Sequence, residues 1–220
     1  MRGTLIIFVK APVAGRVKTR LAKGLGPGRA AALYRRLCAN TIGAAAKGSW
    51  RTILAVDPAA SVRGFGNLWP LELARIEQGR GDLGARMRRA IDAAPCGPVV
   101  IIGSDAPALR TRHIRAAFNA MAGNDAVFGP APDGGYWLIG LARRRGAATL
   151  FENVRWSSEH ALADTLSTFP AFYRVASLVP LADIDDAGDL ALAGPRALMR
   201  SVAVVNSGAG SVVNDSAAAK

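Results

Sequence analysis

Histidine and cysteine are nearly absent from this chain, two of each among 220 residues. Cys38 falls in a helical pattern and Cys96 in a loop, with no metal-ligand partner beside either. Neither a disulfide framework nor a zinc site can be assembled from them, and such isolated thiols suit a cytoplasmic setting. His113 and His160 follow the helix-start residues Thr111 and Ser157, where solvated or capping roles suit them, and no Ser-His-Asp or Cys-His arrangement stands out. Long apolar runs are missing too. Half of the residues are hydrophobic, yet no uninterrupted stretch approaches the ~18–20 residues that span a bilayer, so no membrane partner is expected. The opening segment through Pro12 has too short an apolar core for a signal peptide and lacks a small-residue cleavage site. Aromatic residues are only 6% of the chain. None interleaves with the arginines scattered at Arg35, Arg36, Arg88, Arg89, Arg112, Arg115 and Arg143 to Arg145, and there is no recognition-helix motif. The net charge of +12 therefore does not by itself point to nucleic acid. Of 28 Lys and Arg only five are Lys, so much of the excess reflects arginine-rich coding.

What is present is an alternation of short β-branched runs with longer helical patterns, the signature of α/β layers on a largely parallel sheet. Residues 4–9 form a continuous apolar run, as a central strand buried on both faces requires. Further strands are expected at 52–56, near 73–76, at 98–102, at 126–128 and at 136–141, the last two as a hairpin across Asp133-Gly134-Gly135. Leu33, Tyr34, Leu37, Cys38, Thr41, Ile42 and Ala45 follow helical spacing, as do Leu83, Met87, Ala90, Ile91 and Ala94 after an Asp82 N-cap. Thr111 and Ser157 are expected to cap two more helices. Asp186, with Asp189 in a capping-box relation, is expected to open a last helix to about Met199. The length suits one domain over 1–205, followed by a small, polar, aperiodic tail at 206–220.

Four segments could carry chemistry. The loop after the first strand, Lys10-Ala-Pro-Val-Ala-Gly-Arg-Val-Lys-Thr-Arg20, leaves the sheet edge where open α/β sheets bind ligands. Its clustered cations call for a counter-anion, phosphate being the natural one, and Gly15 allows close backbone approach. A solvated basic turn explains the charges equally well, and the Walker spacing is absent. Asp105 follows the strand at 98–102, where a carboxylate could hold a hard cation or merely close an Asx-turn. Asp183 and Asp185, at i and i+2, could face one ion, or with Asp186 could complement a helix dipole. The glycine-rich stretch Gly129–Gly140, with Asp133, is either a pocket wall or simply a hairpin.

Taken in order, FVKAPVAGRVKTRLA, QGRGDLGARM, GSDAPAL, GPAPDGGYWLIGL, VRWSS and LADIDDAGDL resemble the DUF2064 family, also called rSAM/selenodomain-associated transferase 1. The likeness runs from residue 6 to about 192. It implies a GT-A-like three-layer α/β/α sandwich with a mixed, mainly parallel sheet, similar to nucleotide-diphospho-sugar transferases and to 2-phospholactate guanylyltransferase. It implies that the first loop (Lys10, Ala11, Pro12, Gly15, Arg16, Lys18) with Gln78 and Gly79 receives a nucleotide. Lys18, Arg20 and Asp105 are then the catalytic group, and Asp105, Asp183 and Asp185 ligate Mg²⁺ or Mn²⁺. Asp133, Gly134, Gly135 and Tyr136 are expected against the substrate. Family members commonly carry Cys where this chain has Ala106, which removes a thiol but no candidate ligand.

The expected activity is metal-dependent transfer from a nucleotide-activated substrate to a small-molecule acceptor. Glycosyl transfer from a nucleotide-diphospho-sugar leads. The alternative is nucleotidyl transfer from an NTP to a phosphorylated small molecule, and a non-catalytic nucleotide or nucleic-acid binder ranks third. A homo-oligomer is left open.

Overall fold

The computed structural model describes residues 3–63, 69–146, 149–186 and 188–191. Among them, β1 (Thr4–Lys10), β2 (Arg51–Asp57), β3 (Ala74–Glu77), β4 (Val99–Ile102), β5 (Ala126–Pro130), β6 (Tyr136–Leu141) and β7 (Val175–Ser177) form one sheet, in the order β3-β2-β1-β4-β6-β5-β7. All neighbours pair parallel except β6, which runs antiparallel to both β4 and β5. The helices are α1 (Thr19–Leu25), α2 (Pro27–Ala45), α3 (Leu83–Ala93), α4 (Thr111–Ala120) and α5 (Ala161–Ser167).

The apolar run of β1 needs cover on both faces, and the helices supply it. Leu5, Ile7 and Val9 pack with Tyr34 and Cys38 of α2 and Ile114 and Ala117 of α4. Ile6, between them in sequence and on the opposite face, packs with Met87, Ala90 and Ile91 of α3. Period-2 alternation on a continuously apolar strand thus builds two cores and three layers, as expected. The α2 face expected from spacing is buried throughout. The helix reaches back to Pro27, a first-turn residue whose missing N–H costs nothing there. No helix among the described residues is long and apolar enough to cross a membrane.

The caps divide into those the spacing located and those it misplaced. Asp82 accepts a hydrogen bond from the Ala85 N–H at 2.8 Å. Asp186 accepts from Gly188 and Asp189, while Asp189 accepts from the N–H groups of Asp185 and Asp186, a reciprocal box. Helical residues follow at 188–191, and the rest of that expected helix and the tail at 206–220 lie outside the described residues. Thr111 is not a cap: its hydroxyl donates to the Ala44 carbonyl of α2, and the position before the helix is taken by Arg110. There the Arg110 N–H donates to His113 Nδ1 at 3.2 Å, so this histidine does take a capping role. Ser157 does not open α5 either. It stands in the left-handed region, φ 59°, and the helix starts only after His160. β7 was not expected, because three residues carry too little pattern; its pairing with β5 orders it.

Burial makes one prediction here. Cys38 is 2% exposed, and burial pushes its thiol up to about 11, whereas Cys96 is exposed. At pH 8 the folded protein should release one equivalent of chromophore rapidly from a disulfide thiol reagent, and the second only on denaturation. Two fast equivalents would contradict the packing of α2 on the sheet.

Candidate active site

Successive crossovers from β1 lead to β2 and β3 on one side, while β4 joins on the other. The chain therefore leaves the carboxyl ends of β1 and β4 in diverging directions, and a crevice opens between them. The segment after β1 curls back at once. The Ala11 N–H donates to the Asp57 carbonyl, Val13 to Ala11 and Arg16 to Val13, all within 3.0 Å. Gly15 takes φ +78° in this turn, with open space where a side chain would stand. Lys18 then closes the turn in the left-handed region, φ 47°, immediately before α1.

That backbone sends the Lys18 side chain inward. Its Nζ lies 2.8 Å from Asp105 Oδ2 and 2.6 Å from Asp185 Oδ1, and the side chain is only 7% exposed. Burial alone would depress the ammonium, but the carboxylates of Asp105 and then Asp185 outweigh it, so Lys18 titrates above the ordinary lysine range. Asp105 follows β4 directly, and its carbonyl accepts from the Ile184 N–H, which docks the C-terminal acid segment beside it. One oxygen each from Asp105, Asp183 and Asp185 lies within 4.8 Å of the others. Burial, then the charges of Asp105, Asp185 and Asp133, push the Asp183 carboxyl up to about 6. This donor set is all carboxylate oxygen, which suits a hard divalent cation, and the Lys18 ammonium already stands in for positive charge between two of its members.

Around this cluster opens a cavity of about 650 Å³. Lys10, Arg16, Lys18, Arg20 and Arg86 bring cations to its wall, and Asp82, Asp105 and Asp185 bring acids. Phe8, Leu83 and Trp156 add an apolar side. Basic groups gathered on one solvent-open space suit an anionic ligand.

Of the expected nucleotide residues, Lys10, Arg16, Lys18 and Gln78 line the cavity, whereas Ala11, Pro12, Gly15 and Gly79 do not. Gln78 is largely engaged in holding the fold. Its Nε2 donates to the carbonyls of Val9 and Ala55, clasping the ends of β1 and β2, and its backbone carbonyl accepts from Arg89. Gly79, at φ +77°, has no room for a side chain beside the Arg89 guanidinium.

The segment Asp133–Tyr136 does not reach the cavity wall. Asp133 accepts from the Gly135 N–H within its own turn. A Cβ on Gly134, at φ +83°, would collide with the Glu159 carbonyl, and Tyr136 is half-buried with its hydroxyl towards Thr165.

Several residues of the site were not singled out in the sequence. Tyr34 reads as one more member of an apolar helix face, yet its hydroxyl accepts from the Lys10 N–H at 2.9 Å and shares a hydrogen bond with Ser104 Oγ at 2.9 Å. It thereby pins the start of the basic loop to the segment that carries Asp105. The polar tip on an otherwise apolar stripe was the available signal. Arg86 lies within 3.7 Å of Asp57 and donates to the Gly81 carbonyl. Trp156, from the VRWSS segment, packs over Gly84, and its indole N–H has no hydrogen-bond partner among the described residues.

The profile of one protein family, described as an uncharacterized protein conserved in bacteria (DUF2064), matches residues 41–158. No curated protein matches the chain significantly. Among solved structures, a candidate nucleotide-diphospho-sugar transferase from Desulfovibrio desulfuricans G20 superposes with a TM-score of 0.72 at 28% identity, over 84% of each chain. Rv0371C of Mycobacterium tuberculosis H37Rv in complex with manganese has a TM-score of 0.54 at 18% identity, covering 92% of this chain and 100% of that one. A CMP:2-keto-3-deoxy-manno-octonic acid synthetase complexed with CTP has a TM-score of 0.55 at 12% identity, covering 91% and 99%. The last two likenesses show the fold alone, and it is the GT-A-like α/β arrangement expected.

The crowding of acids generates a pH prediction. An acid whose folded pKa is raised to about 6 costs stability once it is ionised in the fold, and the cost grows from its unfolded value near 4 up to about pH 6. With chelator present, Asp183→Asn should leave the melting temperature unchanged near pH 4 and raise it above pH 7. After discounting for the partial exposure of Asp183, the gain is about 1 kcal/mol, or ~2–4 °C. An equal effect at both pH values would contradict the electrostatic account.

Proposed function

The chain belongs to the DUF2064 family, and from that membership and the site just described we propose that it is a metal-dependent transferase acting on a nucleotide-activated substrate. The observation that carries the proposal is the meeting of a buried lysine, three carboxylates and a basic loop at the switch point of the sheet. Nucleotide-diphospho-sugars are the leading substrate class, supported by the Desulfovibrio relative.

In this reading the cations of the first loop, Lys10, Arg16, Lys18 and Arg20, take the diphosphate. Asp105, Asp183 and Asp185 hold Mg²⁺ or Mn²⁺, which supplies neutralisation of charge on phosphate oxygens. Lys18 and Arg20 oppose the negative charge that develops on the departing diphosphate, in a cavity where the ions are already in place. An acceptor oxygen bonds to the anomeric carbon, the nucleoside diphosphate leaves with the bonding pair, and the acceptor proton passes to solvent. The second reading, favoured by the fold's occurrence with bound CTP, places an NTP in the same cavity. A phosphate oxygen of the acceptor then bonds to the α-phosphorus and pyrophosphate departs. Asp133–Tyr136 would meet substrate only at the margin, through Asp133 near Asp183. The proposal takes 1–205 as one transferase domain with a tail at 206–220, and the free thiols support a cytoplasmic setting.

A thermal-shift panel of NTPs and nucleotide-sugars, with Mg²⁺ or chelator, tests the proposal. At ligand near 100 times its Kd, at least one nucleotide should raise the melting temperature by about 5–10 °C with metal. Asp105→Ala should abolish the metal-dependent part. Release of nucleoside diphosphate or of pyrophosphate then separates the two readings. No shift with any nucleotide, or a shift indifferent to Asp105→Ala, would overturn both.

A further inference from the structure

Lys18 was expected to touch phosphate, yet here its ammonium is held by two acids. Its ammonium bridges Asp105 and Asp185 at 2.8 and 2.6 Å, two of the three carboxylates that would hold a divalent cation. An ammonium and a divalent cation cannot share that position. They would repel one another at contact distance, and the two carboxylates cannot serve both fully. We infer that Lys18 is the resident counter-ion of the acid triad and that a divalent cation enters only by displacing it, with substrate phosphate as the group that receives the displaced ammonium. The inference rests on the metal site of the proposed function and adds the order of events within it.

The surroundings fit such an exchange. Lys18 lines the same cavity as Lys10, Arg16 and Arg20, so phosphate drawn in by those cations lies within its reach. Its backbone is held by the turn before α1, where the Lys18 carbonyl accepts the Ala22 N–H. The four-carbon stem can therefore swing without moving the loop, a motion that the compact ammonium of lysine permits and a forked guanidinium would resist. In the closed state the lysine relieves the mutual repulsion of the carboxylates and keeps them in place. When metal and phosphate arrive together, the carboxylates exchange an ammonium for a divalent ion and the ammonium exchanges carboxylate for phosphate, so no charge is left unpaired. Metal alone would strand the ammonium. Each ligand then strengthens the other by the same factor, as linkage requires.

The test is Mn²⁺ binding to the full chain, without nucleotide, by titration calorimetry at one pH. Lys18→Met keeps the length of the side chain and removes its charge. It should bind Mn²⁺ about ten-fold more tightly than the native protein, whereas Arg20→Gln, which removes a cation from the same cavity but not from between the acids, should change affinity less than about three-fold. Should Lys18→Met fail to fold, the native protein answers the same question. Acylation of Lys18 by an N-hydroxysuccinimide ester, mapped by peptide mass spectrometry, should accelerate at least about three-fold with saturating Mn²⁺ while exposed Lys47 is unchanged. Equal Mn²⁺ affinity of native and Lys18→Met proteins, an equal gain in Arg20→Gln, or Lys18 labelling unmoved by metal would overturn the inference and leave the metal site standing. Absence of Mn²⁺ binding in every protein would overturn the metal site, and the inference with it.

Discussion

The contact on which the site depends is the buried ammonium of Lys18 between Asp105 and Asp185. It ties together three stretches far apart in sequence: the loop after β1, the end of β4 and the approach to the C-terminal helix. Three carboxylates within 4.8 Å of one another are unstable company without a cation. A single lysine removed from water is equally costly without acids. Each makes the other tenable, and the sheet makes the meeting possible by setting β1 and β4 side by side.

Around that contact the fold supplies rigidity. Tyr34 links the Lys10 backbone to Ser104, so the basic loop and the Asp105 turn are held to the same helix. Gln78, just past β3, clasps the carboxyl ends of β1 and β2. Asp186 and Asp189 form the reciprocal capping box, while Asp185 lines the cavity and Asp183 stands with it beside Asp105. Two explanations that competed for these acids in the sequence are thus divided among different residues. Asp186 and Asp189 cap; Asp183 and Asp185 join Asp105.

The layers were legible in the sequence because a strand buried on both faces must be apolar throughout, as residues 4–9 are, and because α2 and α3 carry clear helical stripes. Asp82 and Asp186 were legible as caps for the same local reason. Residues whose role is set by distant partners were not. Thr111 bonds to α2 instead of its own helix, β7 forms only because β5 offers an edge, and Tyr34 is a core residue in spacing and a site residue in space. The Asp133–Tyr136 stretch was open to two readings, a pocket wall or a hairpin. The chain there turns between the antiparallel β5 and β6, Gly134 packs closely against Glu159, and Tyr136 packs beneath α5. The basic loop was ambiguous as a string of charges and became specific only through what Lys18 touches.

Asp105, Asp183 and Asp185 are proposed as one divalent-cation site serving a nucleotide in the adjoining cavity. Its most direct measurement is an anomalous difference map from crystals grown with Mn²⁺ and a nucleotide that stabilises the protein. The account predicts one strong peak among the three carboxylates, with phosphate density reaching it and Lys18 turned from the acids towards that phosphate. A nucleotide bound elsewhere, or bound in the cavity with the Lys18 bridge intact and no metal peak between the acids, would contradict it.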